Sequence, residues 1–234
     1  FFTATGITDN TQKSAVNQLV LDLKSASIWT KMKAIYPFVG GTATTHKYNL
    51  KDPQDTDAAF RLVFNGGWTH SSTGAKPNGT NGYADTNLIP NSVLPLNDSH
   101  LSFTSRTINA TGFCLIGTYP SSSRIALYNS SLCGINSSGW ISGTSGNGIT
   151  TFIGSRTSST NIFLRCYGVT TSSSQSSSSL STSSINISRL NNYNGDYSPN
   201  ECSFSSIGLG LTTLEASILE IIINTYNTTL SRNV

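Results

Sequence analysis

His100 to Gly168 reads HLSFTSRTINATGFCLIGTYPSSSRIALYNSSLCGINSSGWISGTSGNGITTFIGSRTSSTNIFLRCYG, and its short apolar runs, broken by Ser, Gly and Asn, decide the fold class. Strands are expected at His100–Arg106, Gly112–Thr118, Arg124–Tyr128, Gly139–Ser142, Thr150–Arg156 and Asn161–Gly168. Runs rich in β-branched and aromatic residues, separated by turn signals at short intervals, are the pattern of a sandwich. Two of them, Phe103-Thr-Ser-Arg106-Thr107 and Phe152-Ile-Gly-Ser-Arg156-Thr157, share the ending Ser-Arg-Thr, a weak internal repeat.

Upstream, Met32 to Phe38 and Phe60 to Phe64 read as strands, the second running into the turn signal Asn65-Gly66-Gly67, after which Trp68-Thr69-His70 starts another. Lys51 to Asp57 is a polar connection, and Ser71 to Pro95 is read as a long surface loop. Downstream, Thr171 to Ser184 is almost all Ser and Thr; it is either a loop or a strand with two polar faces, with the loop preferred. Ile185–Arg189 and Cys202–Ile207 are expected to close the sheet.

Helices are expected at both ends. Thr8 can cap a helix whose Val16, Leu19, Val20 and Leu23 fall at i, i+3, i+4, i+7, with Asp9 at its positive end and Lys24 at its negative end. Thr212-x-x-Glu215 is a capping box, and Ile218, Leu219, Ile222, Tyr226 and Leu230 form one apolar face behind it. The expected organisation is a helical segment over 1–27, a β-sandwich over 28–210 and a docked helix over 211–234.

The 234 residues suffice for a substantial core. Charged residues make up only 11%, and Ser, Thr, Asn and Gly supply the polarity, which is common in β-rich extracellular and virion proteins. The net charge of +3 is spread thinly, with no Lys/Arg run to engage a series of phosphates, so nucleic acid is excluded as a partner. No apolar run approaches the about 20 residues that span a bilayer. Cys114, Cys133, Cys166 and Cys202 lie far apart; two disulfides could form, but buried free thiols are the favoured reading. Seven N-x-[ST] sequons start at Asn78, Asn97, Asn109, Asn129, Asn136, Asn186 and Asn227, as chance provides in such a composition.

Catalytic signatures are missing. Glu201, Glu215 and Glu220 form no paired-carboxylate pattern of the kind glycoside hydrolysis requires. There is no G-x-S-x-G elbow and no phosphate-binding glycine loop, and His46, His70 and His100 have no diagnostic neighbours. Asp52, Asp55 and Asp57 could offer oxygens to a Ca²⁺ ion, although a solvated turn explains them as well and no other cofactor is expected. Trp68, His70, Tyr83 and Trp140, with Asp85 as a polar partner, are the candidate carbohydrate platform, because a flat apolar ring beside hydrogen-bonding groups suits a pyranose; each could equally be core.

The blocks GITDNTQKSAVNQLVLDLK (6–24), IWTKMKAIYPFVGGTATTHKYNLKDPQDTDAAFRL (28–62), GGWTHSSTGAKPNGTNGYADT (66–86), HLSFTSRT (100–107) and FSSIGLGLTTLEASIL (204–219) resemble a module of virion structural and fibre-like proteins of tailed bacteriophages, including crAss-like and other large phages. The resemblance implies a concanavalin A-like (laminin G-like) jelly-roll sandwich with the two helices appended. It further implies a non-enzymatic late part of a longer protein, placed on the virion as tail fibre, spike or head decoration. Its partners would be other virion proteins and host surface glycan, in a symmetric homo-oligomer such as a trimer. A purely structural assembly module is the alternative, and a glycan depolymerase a third that lacks its carboxylate pair.

Overall fold

The computed structural model describes residues 1–108, 112–119, 123–193 and 195–233; the sequon at Asn109 lies outside them. The chain opens with a helical turn, α1 (Phe2–Thr5), and then α2 (Asn10–Ser25). Asp9 caps α2, not Thr8: its carboxylate accepts from the Gln12 backbone N–H at 2.8 Å and also complements the positive end of the helix dipole.

Next come β1 (Met32–Tyr36), the single turn α3 (Ala43–His46), β2 (Val63–Asn65), β3 (Trp68–Ser71), β4 (Gly74–Pro77), β5 (Tyr83–Asp85) and α4 (Pro90–Val93). The central strands follow as β6 (Ser99–Ser105), β7 (Cys114–Thr118), β8 (Arg124–Tyr128), β9 (Leu132–Ser137), β10 (Ile141–Ser142), β11 (Thr150–Arg156), β12 (Asn161–Cys166) and β13 (Val169–Ser174). β14 (Asn186–Ile187), β15 (Leu190–Asn191), β16 (Cys202–Gly208) and α5 (Thr213–Thr229) complete the chain.

One sheet runs β13-β12-β11-β6-β16-β4-β3, with β1 pairing along β16 as well. The other runs β10-β9-β8-β7-β14-β5-β2, with β15 parallel beside β7. Side-chain alternation makes the first sheet a middle layer. Tyr36, Phe103, Phe152, Leu164 and Ile207 enter the core between the sheets, whereas Met32, Ile35, Ile153, Phe163 and Phe204 join a second core. That second core is closed by Val16, Leu19 and Leu23 of α2 and by Leu219, Ile223 and Tyr226 of α5. The result is the expected all-β concanavalin A-like sandwich with both terminal helices packed on it.

The expected capping box is present in full: Glu215 N–H donates to Thr212 Oγ1 at 3.2 Å, and Thr212 N–H donates to Glu215 Oε2 at 2.7 Å. Elsewhere the structure corrects the reading. The Ser71–Pro95 stretch carries β4 and β5, and the Ser/Thr segment begins as the edge strand β13, whose residues are all exposed or only partly buried, so polar side chains suit both of its faces. Asn65-Gly66-Gly67 is a corner between sheets, since β2 and β3 lie in different ones. Gly66 holds φ +69° there, and a Cβ would lie 2.1 Å from Asn81 O, so only glycine fits. All four cysteines are buried free thiols. No helix among the described residues is long and apolar enough to cross a membrane.

Candidate ligand-binding surface

The outer face of the second sheet is assembled by alternation. In β8, Ile125 and Leu127 enter the core, so Arg124, Ala126 and Tyr128 face outward; in β5, Ala84 enters the core and Tyr83 and Asp85 face outward. Trp140, just before β10, folds onto the same face and packs with Tyr119 and Tyr128 over Cys114, Ala126 and Leu190.

The Arg124 guanidinium carbon lies 4.5 Å from the Trp140 ring centroid and 4.8 Å from that of Tyr119. Tyr128 meets Trp140 edge-on at 5.2 Å. Gly134 of β9 permits this: a Cβ there would come within 2.7 Å of Arg124 Cγ. The Tyr128 hydroxyl donates to Asp196 Oδ2, while Asp196 Oδ1 accepts from Cys114 N–H at 2.9 Å. Burial, with Cys114 and Asp196 beside it, pushes the phenol pKa far up and keeps it a donor.

A second cluster repeats the motif three interstrand steps away, about 14 Å. Arg189 lies 4.8 Å from the Tyr83 ring centroid and 5.2 Å from that of Tyr197. Asp85 stands two residues from Tyr83 on the same face, and its Oδ1 accepts from Asn87 N–H at 2.8 Å. Neither the Arg124 nor the Arg189 guanidinium has a hydrogen bond or ion pair among the described residues, and the Nε of each is buried without a hydrogen-bond partner. Rings hold a guanidinium by its faces, worth about 0.5–2 kcal/mol, and leave its N–H edge for an acceptor.

Trp68 and His70 lie elsewhere, at the end of the first sheet. The Trp68 indole N–H is spent on Asn65 O at 3.0 Å and Tyr83 O at 3.3 Å, and its ring packs edge-on against Phe64. His70 Nδ1 is 2.9 Å from His46 Nδ1, and Gly41 N–H donates to His46 Nε2 at 3.2 Å. His46 Nε2 is therefore unprotonated, so the shared proton belongs to His46 Nδ1–H and His70 Nδ1 accepts it. Burial, then the His70 and Arg232 charges, holds the His46 pKa down to about 3, and burial lowers that of His70. The pair is neutral at neutral pH.

The three aspartates do not converge on one point. Asp52 Oδ1 accepts from the Gln54 amide at 2.8 Å, Asp55 pairs with Lys47 at 2.5 Å and Asp57 pairs with Arg61 at 3.0 Å. The hydrogen bond from Lys47 is the main cause that lowers the Asp55 pKa. Among the described residues no group of three or more His, Cys, Asp or Glu is placed to hold a metal ion, so the Ca²⁺ reading gives way to a charge-paired turn.

Sequence reasoning thus missed Arg124, Tyr119, Tyr128, Arg189, Asp196 and Tyr197. The outward pair in Arg-Ile-Ala-Leu-Tyr was recoverable from its alternation; Arg189 and Tyr197 carry no local signal, because Tyr83 meets them from about 100 residues away.

No protein-family model matches the chain, and no curated protein matches it in sequence. Among solved structures, the binding domain of Paraclostridial Mosquitocidal Protein 1 matches with a TM-score of 0.55 at 13% identity, over 85% of this chain and 53% of that one. A mutant Trypanosoma rangeli sialidase displaying trans-sialidase activity matches with a TM-score of 0.54 at 9% identity, over 94% of this chain and 38% of that one. Domain 4 of an extracellular GH43 arabinanase from Geobacillus stearothermophilus, in complex with arabinotriose, scores 0.48 at 15% identity, over 81% of this chain and 98% of that one. The likeness to the first two is one of fold, and the chain spans about half or less of their length. The class is a two-sheet β-sandwich.

Proposed function

We propose that this chain is a non-catalytic carbohydrate-binding module whose ligand rests on the outer face of the second sheet. The observation that carries the reading is that Arg124 and Arg189 are each held between aromatic rings with unpaired donors, beside Trp140 and beside Tyr83 and Asp85. Rings supply an apolar platform and the guanidinium edges supply donors for hydroxyls, the combination a pyranose needs. The likeness to a toxin binding domain supports a binding role. So does the state of the glutamates: Glu215 pairs with Lys31, Glu220 with Arg165, and Glu201 accepts from Thr73. The setting on a phage particle, in a symmetric oligomer that multiplies a weak site, is supported by the sequence resemblance alone.

A glycan-array screen of the folded chain, with Trp140→Ala and Arg124→Ala in parallel, tests this. Selective binding lost in both variants supports the reading, and binding kept in both places the ligand elsewhere. The helix layer favours the assembly role as a second reading, because Leu214 and Ile221 of α5 and Leu21 of α2 are exposed. A folded chain that binds no glycan and oligomerises through these residues would establish it.

A further inference from the structure

A cleft of about 480 Å³ opens between the C-terminal half of α5 and the outer face of the first sheet. Its walls carry Thr104, Arg106, Thr151, Ser203, Asn224 and Asn227, so they are rich in hydroxyls and amides. The repeated Ser-Arg-Thr ending makes an internal control. β6 and β11 pair antiparallel with Phe103 opposite Phe152, so Arg106 and Arg156 leave from opposite ends of one strand pair.

Arg156 is completely buried and satisfied: it donates to Ile135 O at 2.7 Å, Ser158 O at 3.0 Å and Gln175 O at 2.8 Å. Arg106 is not. Its side chain is only 10% exposed, yet Nε and Nη1 are buried and make no hydrogen bond among the described residues, which leaves it one long ion pair, to Glu201. Its nearest carboxylate oxygen, Glu201 Oε1, is 3.6 Å from Nε, beyond hydrogen-bonding reach, and already accepts from Thr73 Oγ1 at 2.6 Å. A second buried polar atom on the same wall, Ser203 Oγ, also has no hydrogen-bond partner among the described residues.

Arg106, Arg165 and Arg232 against Glu201 and Glu220 leave the cleft and its surround a net charge of +1. Arg232 lines it with its guanidinium given to the Phe38, Pro37 and Ser203 carbonyls and to Asn227 Oδ1, none of which carries charge. Glu220 lines it too, but is held by Arg165 at 2.6 Å. A buried guanidinium with unmet donors is costly, and an oxyanion received by its planar edge removes that cost. A bare anion would leave the hydroxyl and amide walls unused, and the volume is that of a small-molecule site.

We propose that this cleft binds the carboxylate-bearing residue of an acidic glycan, with Arg106 receiving the carboxylate. This goes beyond the sheet-face reading and does not rest on it.

Calorimetric titration at fixed ionic strength with sodium D-glucuronate, D-glucose and inorganic phosphate tests the assignment. Saturable glucuronate binding is expected, with none for glucose and phosphate weaker by about tenfold. Arg106→Gln should weaken glucuronate by about tenfold or more, the cost of a charge-assisted contact. Asn224 is an exposed residue at the rim, so Asn224→Trp should block entry without disturbing the core and decides the matter if Arg106→Gln fails to fold. Trp140→Ala should leave glucuronate binding unchanged. Equal binding of glucose, phosphate binding as tight as glucuronate, no saturable glucuronate binding, binding retained in Asn224→Trp, or loss in Trp140→Ala would each overturn the proposal.

Discussion

Arg124 lies over the indole of Trp140, its guanidinium carbon 4.5 Å from the ring centroid, and no carboxylate among the described residues neutralises it. An exposed arginine is ordinarily free to sample many rotamers. Here Tyr119 and Trp140 bracket it and Gly134 lets its stem lie flat. The donors are thereby fixed in direction before any ligand arrives, which lowers the ordering cost of binding.

That arrangement leans on Asp196, which ties β7 to Tyr128. Tyr128→Phe removes the hydroxyl and leaves a carboxylate that is only 9% exposed with one remaining donor, the Cys114 N–H. The expected loss is about 1–3 kcal/mol in urea-induced unfolding, while the phenyl ring keeps its edge-on contact with Trp140.

Stability should fall on the acid side of neutrality. Burial holds the His46 and His100 pKa values down to about 3 and about 4 from 6.5, so below pH 6.5 the unfolded chain takes up protons that the folded chain refuses. Each histidine contributes up to about 1.4 kcal/mol per pH unit to that fall, and nothing above pH 6.5. Unfolding free energies between pH 7.5 and about 4.5 measure it, and His100→Gln should flatten the slope. A pH-independent stability across that window would contradict the buried neutral state.

The helix layer gives a paired contrast. Leu219 is fully buried under α5, and Leu219→Ala should cost about 2–5 kcal/mol. Ile221, two residues on, is 61% exposed, and Ile221→Ala should change stability by less than about 0.5 kcal/mol. Chemical denaturation of both variants checks the assignment of faces.

Calcium should do nothing to the melting temperature. Asp55 and Asp57 are already paired with Lys47 and Arg61, and binding an ion would break those pairs without gathering enough oxygens to replace them. A thermal scan with millimolar Ca²⁺ and again with chelator should give superimposable transitions.

Much of the fold was readable residue by residue. Thr212 and Glu215 announce α5, alternation in Arg124–Tyr128 fixes which side chains face outward, and Val16, Leu19 and Leu23 mark the buried stripe of α2. What escaped was non-local. Asn65-Gly66-Gly67 signals a reversal of chain direction but not the change of sheet, because the turn residues are blind to which strand comes to pair with Trp68–Ser71. In sequence β13 reads as a loop in preference to a strand because its serine run shows no apolar alternation, although Val169, Thr170 and Thr171 favour a strand. The aromatic residues singled out from the sequence fall into three places, with Trp68 and His70 packed together, Tyr83 and Asp85 beside Arg189, and Trp140 beside Arg124. Arg124 could be placed on the outer face by alternation, whereas Arg189 is invisible until the strands are paired.

The three tryptophans offer the most direct measurement, since each gives one indole N–H signal in a nitrogen–proton correlation spectrum. Adding the best glycan found on the array should shift the Trp140 signal, with the Arg124 Nε–H moving alongside, while Trp29 and the internally bonded Trp68 stay in place. Movement of Trp68 or Trp29 with Trp140 unchanged would contradict the account and remove the ligand from the second sheet.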